Sequence, residues 1–163
     1  MPSRRTSIKR TFAKSKWSHE NKGCLIELPT ENPTNGLYQS GSNIVPATTT
    51  QGTRTVGNFT ITIPVQGTSS AEIFWALVYV PQGTSTNTLF ATSQSIEGSM
   101  YEPNQFVLAS GISDTYAGPI RIHTRMKRVL HSGDFISLIV GSTTSNANFA
   151  TLRALVSYSI KYN

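Results

Sequence analysis

Hydrophobic residues alternate with polar ones along some stretches of the chain and run together along others, and both patterns have the length of β-strands. Between Asn58 and Val65, residues Phe59, Ile61, Ile63 and Val65 share one face while Thr60 and Thr62 take the other, which predicts a half-buried strand. Leu152 to Tyr162 repeats the pattern, with Leu152, Ala154, Val156, Tyr158, Ile160 and Tyr162 set against Arg153, Ser157, Ser159 and Lys161. A one-residue slip would expose that entire apolar set, so the register is well specified. Ile73 to Val80 is apolar on both faces and lies between Gly67-Thr68-Ser69-Ser70 and Pro81-Gln82-Gly83. Its β-rich content predicts a strand covered on both sides, and it is too short to cross a bilayer.

Five further strands are predicted, at Cys24–Leu28, Asn43–Val45, Phe106–Ala109, Ile120–Leu130 and Phe135–Val140. The last two are joined by the turn His131-Ser132-Gly133-Asp134, and Ser110 to Pro119 reads as loop. One short helix is expected around Leu89 to Ser95. About eight strands, with no long helix and no internal repeat, predict an all-β fold: an eight-stranded antiparallel jelly-roll β-sandwich, with an immunoglobulin-like sandwich as second choice.

Charge divides the chain differently. Residues 1–22 hold Arg4, Arg5, Lys9, Arg10, Lys14, Lys16 and Lys22 against the one acid Glu20, whereas the remaining residues hold seven basic and seven acidic side chains. The whole net charge of +6 therefore sits in one terminal arm. Ile8, Phe12 and Trp17 are its only large apolar residues, too few to offset the entropy of ordering it, so a disordered basic arm is expected before a domain spanning 23–163. Charged residues make up 13% of the chain, about half the usual share, while Ser, Thr, Asn and Gln fill 57 positions. Such a surface suits a protein that buries its outside against copies of itself.

Cys24 is the single cysteine, which excludes an intramolecular disulfide and any CxxC metal or redox site. With no apolar run of signal-peptide character, synthesis in a reduced intracellular compartment is expected, and no membrane partner. Asn58-Phe59-Thr60 spells a glycosylation acceptor that such a compartment would leave unmodified.

No catalytic, metal or cofactor site is expected. His131-Ser132-Gly133-Asp134 contains the letters of a triad, but neighbours on a tight turn point apart, and a Gly-Asp turn explains the same residues. Glu97 and Glu102 read as a solvated loop pair. The phosphate-binding loops and clustered His/Cys ligands of known motifs are missing.

A second basic cluster carries more. Arg121, His123, Arg125 and Lys127 occupy alternate positions of one predicted strand, about 7 Å apart on one face. Such a row repels itself, so it needs either acids opposite, from among Glu27, Glu72 and Asp134, or phosphates. Trp17 among Lys14, Lys16 and His19 combines cation and ring as single-strand binders do, or else packs against its own subunit. Arg4, Arg5, Lys9, Arg10, Lys14, Lys16 and Lys22 on single-stranded nucleic acid predict a salt slope of about −5. The paired clusters Arg4-Arg5 and Lys9-Arg10 also fit a nuclear-import signal.

Three blocks then carry a resemblance: Trp75-Ala76-Leu77-Val78-Tyr79-Val80-Pro81-Gln82-Gly83, Tyr101-Glu102-Pro103-Asn104-Gln105, and Leu130-His131-Ser132-Gly133-Asp134. They resemble capsid proteins of small viruses with circular, Rep-encoding single-stranded DNA genomes (CRESS DNA viruses), over about residues 54 to 140. The resemblance implies a jelly roll assembling as an icosahedral T=1 shell of sixty copies, with the arm inside on the circular viral DNA. It further implies a virion location, passage through the host nucleus during assembly, and a host receptor and a nuclear import factor as partners. Sixty arms carry on the order of 360 positive charges, too few for a genome alone, so the segment from Arg121 to Arg128, with Arg125 and Lys127, is expected to face the lumen. Tyr101, Glu102, Pro103, Asn104 and Gln105 are expected either at a subunit interface or folded back on their own subunit. The alternatives are a coat protein of a small single-stranded RNA virus and a non-viral, basic-tailed β-sandwich that binds nucleic acid, since phosphate contacts do not distinguish DNA from RNA.

Overall fold

Eight β-strands account for most of the residues that the computed structural model of the chain describes, which are 16–29, 38–64, 72–85, 106–142 and 151–163. They are β1 (Ser18–Glu27), β2 (Tyr38–Val45), β3 (Arg54–Ile63), β4 (Glu72–Val80), β5 (Phe106–Asp114), β6 (Ile120–Leu130), β7 (Phe135–Ser142) and β8 (Thr151–Tyr162). A single 3-10 turn, Thr115–Ala117, follows β5, with the Asp114 carboxylate accepting from the Tyr116 amide at 2.9 Å. The strands form two four-stranded antiparallel sheets, β1-β8-β3-β6 and β2-β7-β4-β5. Their pairing is nested, first with last inward: β1 with β8, β2 with β7, β3 with β6, and β4 with β5. The chain is all-β, as its periodicity predicts. No helix among the described residues is long and apolar enough to cross a membrane.

The two sheets meet through the apolar faces that alternation singled out. Phe59, Ile61 and Ile63 of β3 and Leu152, Ala154, Val156, Tyr158 and Ile160 of β8 join Ile73, Leu77 and Tyr79 of β4 and Ile136, Leu138 and Val140 of β7 in one core. Phe59 and Tyr158 stack with ring centroids 5.7 Å apart. Tyr162 shares the parity of that set yet is largely exposed, because it ends the last strand. Strand β4 is covered on both faces, as predicted: Ala76, Val78 and Val80 form a second cluster with Ile139 on the outer side of their sheet. On the inner side the Trp75 indole lies on Gly111, where an added Cβ would come within 2.6 Å of the ring.

Four boundaries differ by several residues from the sequence reading, one of them the start of β3, at Arg54 and not Asn58. Strand β1 begins at Ser18, inside the stretch expected as arm, because every residue from Ser18 to Glu27 pairs with the long β8, Ser18 opposite Ile160 and Glu27 opposite Thr151. Backbone pairing asks nothing of side-chain polarity, so Ser-His-Glu-Asn-Lys is strand without looking like one. Strand β5 likewise runs through the predicted loop to Asp114, which lies opposite Glu72. Strand β2 starts at Tyr38, well before the predicted Asn43. The predicted helix at Leu89 to Ser95 lies outside the described residues, as do Tyr101, Glu102, Pro103, Asn104, Gln105 and the arm cations Arg4, Arg5, Lys9, Arg10 and Lys14.

The turn between β6 and β7 ties the sheets together. Gly133 holds φ at 83°, a conformation that favours glycine, and its amide donates to the Thr48 carbonyl at 2.9 Å. The buried Asp134 carboxylate accepts from the His131 amide at 2.8 Å, the Tyr79 hydroxyl at 2.9 Å and the Gln82 amide at 3.0 Å. Burial pushes its pKa up, but the amides and the hydroxyl outweigh that and hold it below the ordinary carboxylate value. Arg54, only 4% exposed, donates from Nη2 to the carbonyls of Asp134 and Pro46. Ser132 donates to the Thr48 carbonyl at 3.1 Å. The three residues with triad letters are thus spent on turn geometry, and no imidazole is among the donors to Asp134.

Candidate nucleic-acid interface

The outer face of the sheet β1-β8-β3-β6 is built from the residues that alternate with its core. Read across all four strands, one row is Gly23, Leu155, Thr62 and Arg121, and the next is Asn21, Ser157, Thr60 and His123. The third is His19, Ser159, Gly57 and Lys127. Beyond it, Lys161 lies opposite Thr55, and Arg153 lies opposite Leu25 towards the other end. Arg121, Arg125, Lys127 and Arg153 are exposed and Lys161 is half-buried, so five cations share this face with His19 and His123. Glu27, at the end of β1, is the only carboxylate of matching parity among the described residues of this sheet.

Between the acid-paired and phosphate-contacting alternatives for β6, the described residues offer no acid partner. Of the candidate acids, Asp134 is taken up by its three donors, and no ion pair joins Arg121, Arg125 or Lys127 to Glu27 or Glu72. Among the described residues these cations have no acid partner, and they stand beside Ser and Thr side chains and the exposed Leu25, Leu155, Met126 and Val129; such a concentration of positive charge attracts polyanions.

A bulge shapes the middle of the face. Between Gly57 and Phe59 the β3 ladder slips against both neighbours, and Asn58 takes a left-handed backbone with φ of 54°. Its amide nitrogen lies 3.4 Å from the Ser159 hydroxyl, and Nδ1 of His19 lies 3.3 Å from the same oxygen. On β6 the Met126 amide turns to its own strand's Thr124 hydroxyl at 3.2 Å. Met126 is therefore exposed, against its expected inward place opposite the basic row. Arg121, His123, Arg125 and Lys127 themselves keep a common outward parity.

Gly57 matters here for a steric reason. A Cβ on it would come within 2.7 Å of both the Met126 carbonyl and Cγ of Lys127, so only glycine lets the Lys127 stem lie down across the sheet. The ammonium ends 5.3 Å from the centre of the Trp17 ring, which precedes β1 on the opposite edge of the same sheet. Trp17 keeps 41% of its surface exposed, while Ser159 below is reduced to 3%.

Two cations named from the sequence behave differently from expectation. Lys22 is part of β1, and its ammonium donates to the Asn43 carbonyl of β2 at 2.9 Å, bridging the two sheets at one edge. That bond is a backbone contact which an unstructured arm would not make. Arg128 follows the basic row but turns inward, its guanidinium 4.3 Å from the Tyr79 ring and 5.5 Å from that of Phe106. Lys16 and Trp17 lie just ahead of β1. Sequence reading missed Lys161, Arg153 and His19 as members of this surface. The polar parity of β8 was the available signal.

Fold and surface together define an all-β, two-sheet sandwich with one strongly basic outer face. No family model matches the chain, and no curated protein matches it. Among solved structures, one of infectious bursal disease virus, Gt strain, aligns with 99% of this chain and 44% of its own at 12% identity, with a TM-score of 0.19. The chain thus spans less than half the length of that structure's chain, and a superposition this loose carries no argument. The description of the fold rests on the strand pairing.

Proposed function

We propose that the chain is a viral coat subunit of the jelly-roll type that assembles into a closed shell and holds single-stranded nucleic acid against its basic sheet. The nested strand order supports the jelly-roll reading, because two Greek keys wound from eight strands pair in this way, and viral capsid domains are among the proteins built so. The observation that carries the function is the outer face of β1-β8-β3-β6, with five cations, two histidines and one peripheral acid. Strand β1 is one edge of this face, and Lys16 and Trp17 immediately precede it. Arm and sheet would then add their charges on one side of the subunit. A shell places that side inward, where a genome is confined, and leaves the other sheet to the exterior or to subunit contacts. In that arrangement we assign Tyr101 to Gln105 to a contact between copies, DNA as the packaged strand, T=1 as the geometry, and nuclear entry to the arm. The role is architectural and uses no catalysis, metal or cofactor.

Negative-stain electron microscopy and native mass measurement of the purified full chain test this reading. Closed particles of uniform diameter that protect nuclease-sensitive nucleic acid are expected, and DNase against RNase treatment of opened particles identifies the strand. A monomer or dimer that carries no nucleic acid would remove the proposal.

A further inference from the structure

We infer that Trp17 and Lys127 form a clamp that stacks one base of a single strand on the outer face of β1-β8-β3-β6, an inference that rests on the nucleic-acid reading of that face. Trp17 is a large ring left 41% exposed at the edge of a polar surface, with Lys127 across its face at 5.3 Å. The indole belongs to neither cluster of core residues. In the row between His19 and Lys127 the two central strands carry only Ser159 and Gly57. Gly57 and Ser159, with the smallest side chains of this row, make a trough across which the Lys127 stem lies, and a flat base enters it as that lysine moves off the ring.

Cations flank the trough on both sides. Lys161 lies towards the end of β8, and Arg125 and Arg121 lie along β6, so phosphates on either side of a stacked base meet a positive charge. Cation–π contacts at a site this exposed are weak. A base therefore readily takes the ring from the Lys127 ammonium, which then swings to a neighbouring phosphate. Stacking on an aromatic ring needs an unpaired base and tolerates any base, so the clamp selects single strands over duplex without reading sequence.

The test is a titration of the full chain with a thymidine homopolymer and with a duplex of the same length, following anisotropy of the labelled oligonucleotide and tryptophan emission together. Trp75, the other tryptophan, is packed on Gly111 inside the sandwich and supplies a constant background. Single strand should quench emission in step with binding, and Trp17→Phe should abolish the quench while retaining most of the affinity. Trp17→Ala should weaken single-strand binding about tenfold and duplex binding hardly at all. Trp17 is exposed, so unchanged circular dichroism will show that these variants fold. Single-strand binding without a change in emission, equal effects on duplex, or undiminished affinity in Trp17→Ala overturns the clamp and leaves the basic face standing. Absence of any binding at low salt overturns both.

Discussion

The hydroxyl of Tyr79 on β4 donates to the carboxylate of Asp134 in the turn between β6 and β7, 2.9 Å away, and so fastens the end of β4 to the connection that joins the two sheets. Asp134 also receives two backbone amides, and its own carbonyl holds the buried Arg54 guanidinium. Replacing it with Ala leaves the buried Tyr79 hydroxyl and the two amides without their acceptor, while the backbone carbonyl that Arg54 bonds remains. Asp134→Ala is expected to destabilise the domain by about 3 kcal/mol, and Tyr79→Phe by about 1 kcal/mol, in urea unfolding.

The same carboxylate makes stability depend on pH. Its folded pKa lies below the unfolded value, so its contribution is complete above the unfolded value and is lost as pH falls through the folded one. The thermal midpoint of the native chain should therefore decline across the acid range, and Asp134→Asn should flatten that decline. An unchanged slope in Asp134→Asn would show that other groups set it.

The Arg128 guanidinium sits 4.3 Å from the centre of the Tyr79 ring and 5.5 Å from that of Phe106, joining the edge strand β6 of one sheet to β4 and β5 of the other. Arg128→Ala should lower stability by about 1–2 kcal/mol. Arg128→Lys should recover only part of this, because a point charge does not stack. Chemical denaturation of the two variants side by side checks the difference.

Gly57 governs the path of Lys127. An added methyl group collides with the Met126 carbonyl, which belongs to the backbone and yields little. Gly57→Ala should cost about 1–3 kcal/mol and shift Trp17 emission as the ammonium is displaced. A variant of native stability and native emission would mean that β6 can move aside.

Affinity for single-stranded nucleic acid should fall with salt, and the slope counts the cations engaged. Removing two charges with Arg121→Gln and Arg125→Gln should reduce the slope by about 1.4. Anisotropy titrations at several salt concentrations measure it. An unaltered slope would take β6 out of the binding surface.

Much of the strand set was legible because alternation is local. The inward sets of β3 and β8, the two-sided burial of β4 and the Gly133 turn follow from residues a few positions apart. The missed lengths of β1, β2 and β5 have one cause: these strands are held along their whole length by backbone pairing to β8, β7 and β4, and polar side chains carry no trace of it. Met126 was misplaced because the bulge at Asn58 takes its amide off the ladder, which no periodicity on β6 itself announces.

The sequence alone determined that the chain is all-β, that its positive charge is concentrated at one end, and that Arg121, His123, Arg125 and Lys127 share a face. Each of these depends on composition or on a period of two. Only the tertiary structure decided that β8 and β3 lie between β1 and β6, which sets Lys161 and Arg153 beside that row and brings Trp17 to Lys127. Strand neighbours are chosen by non-local pairing. The residues that build the basic face therefore come from β6 and from both ends of the chain, and only the folded sheet brings them together.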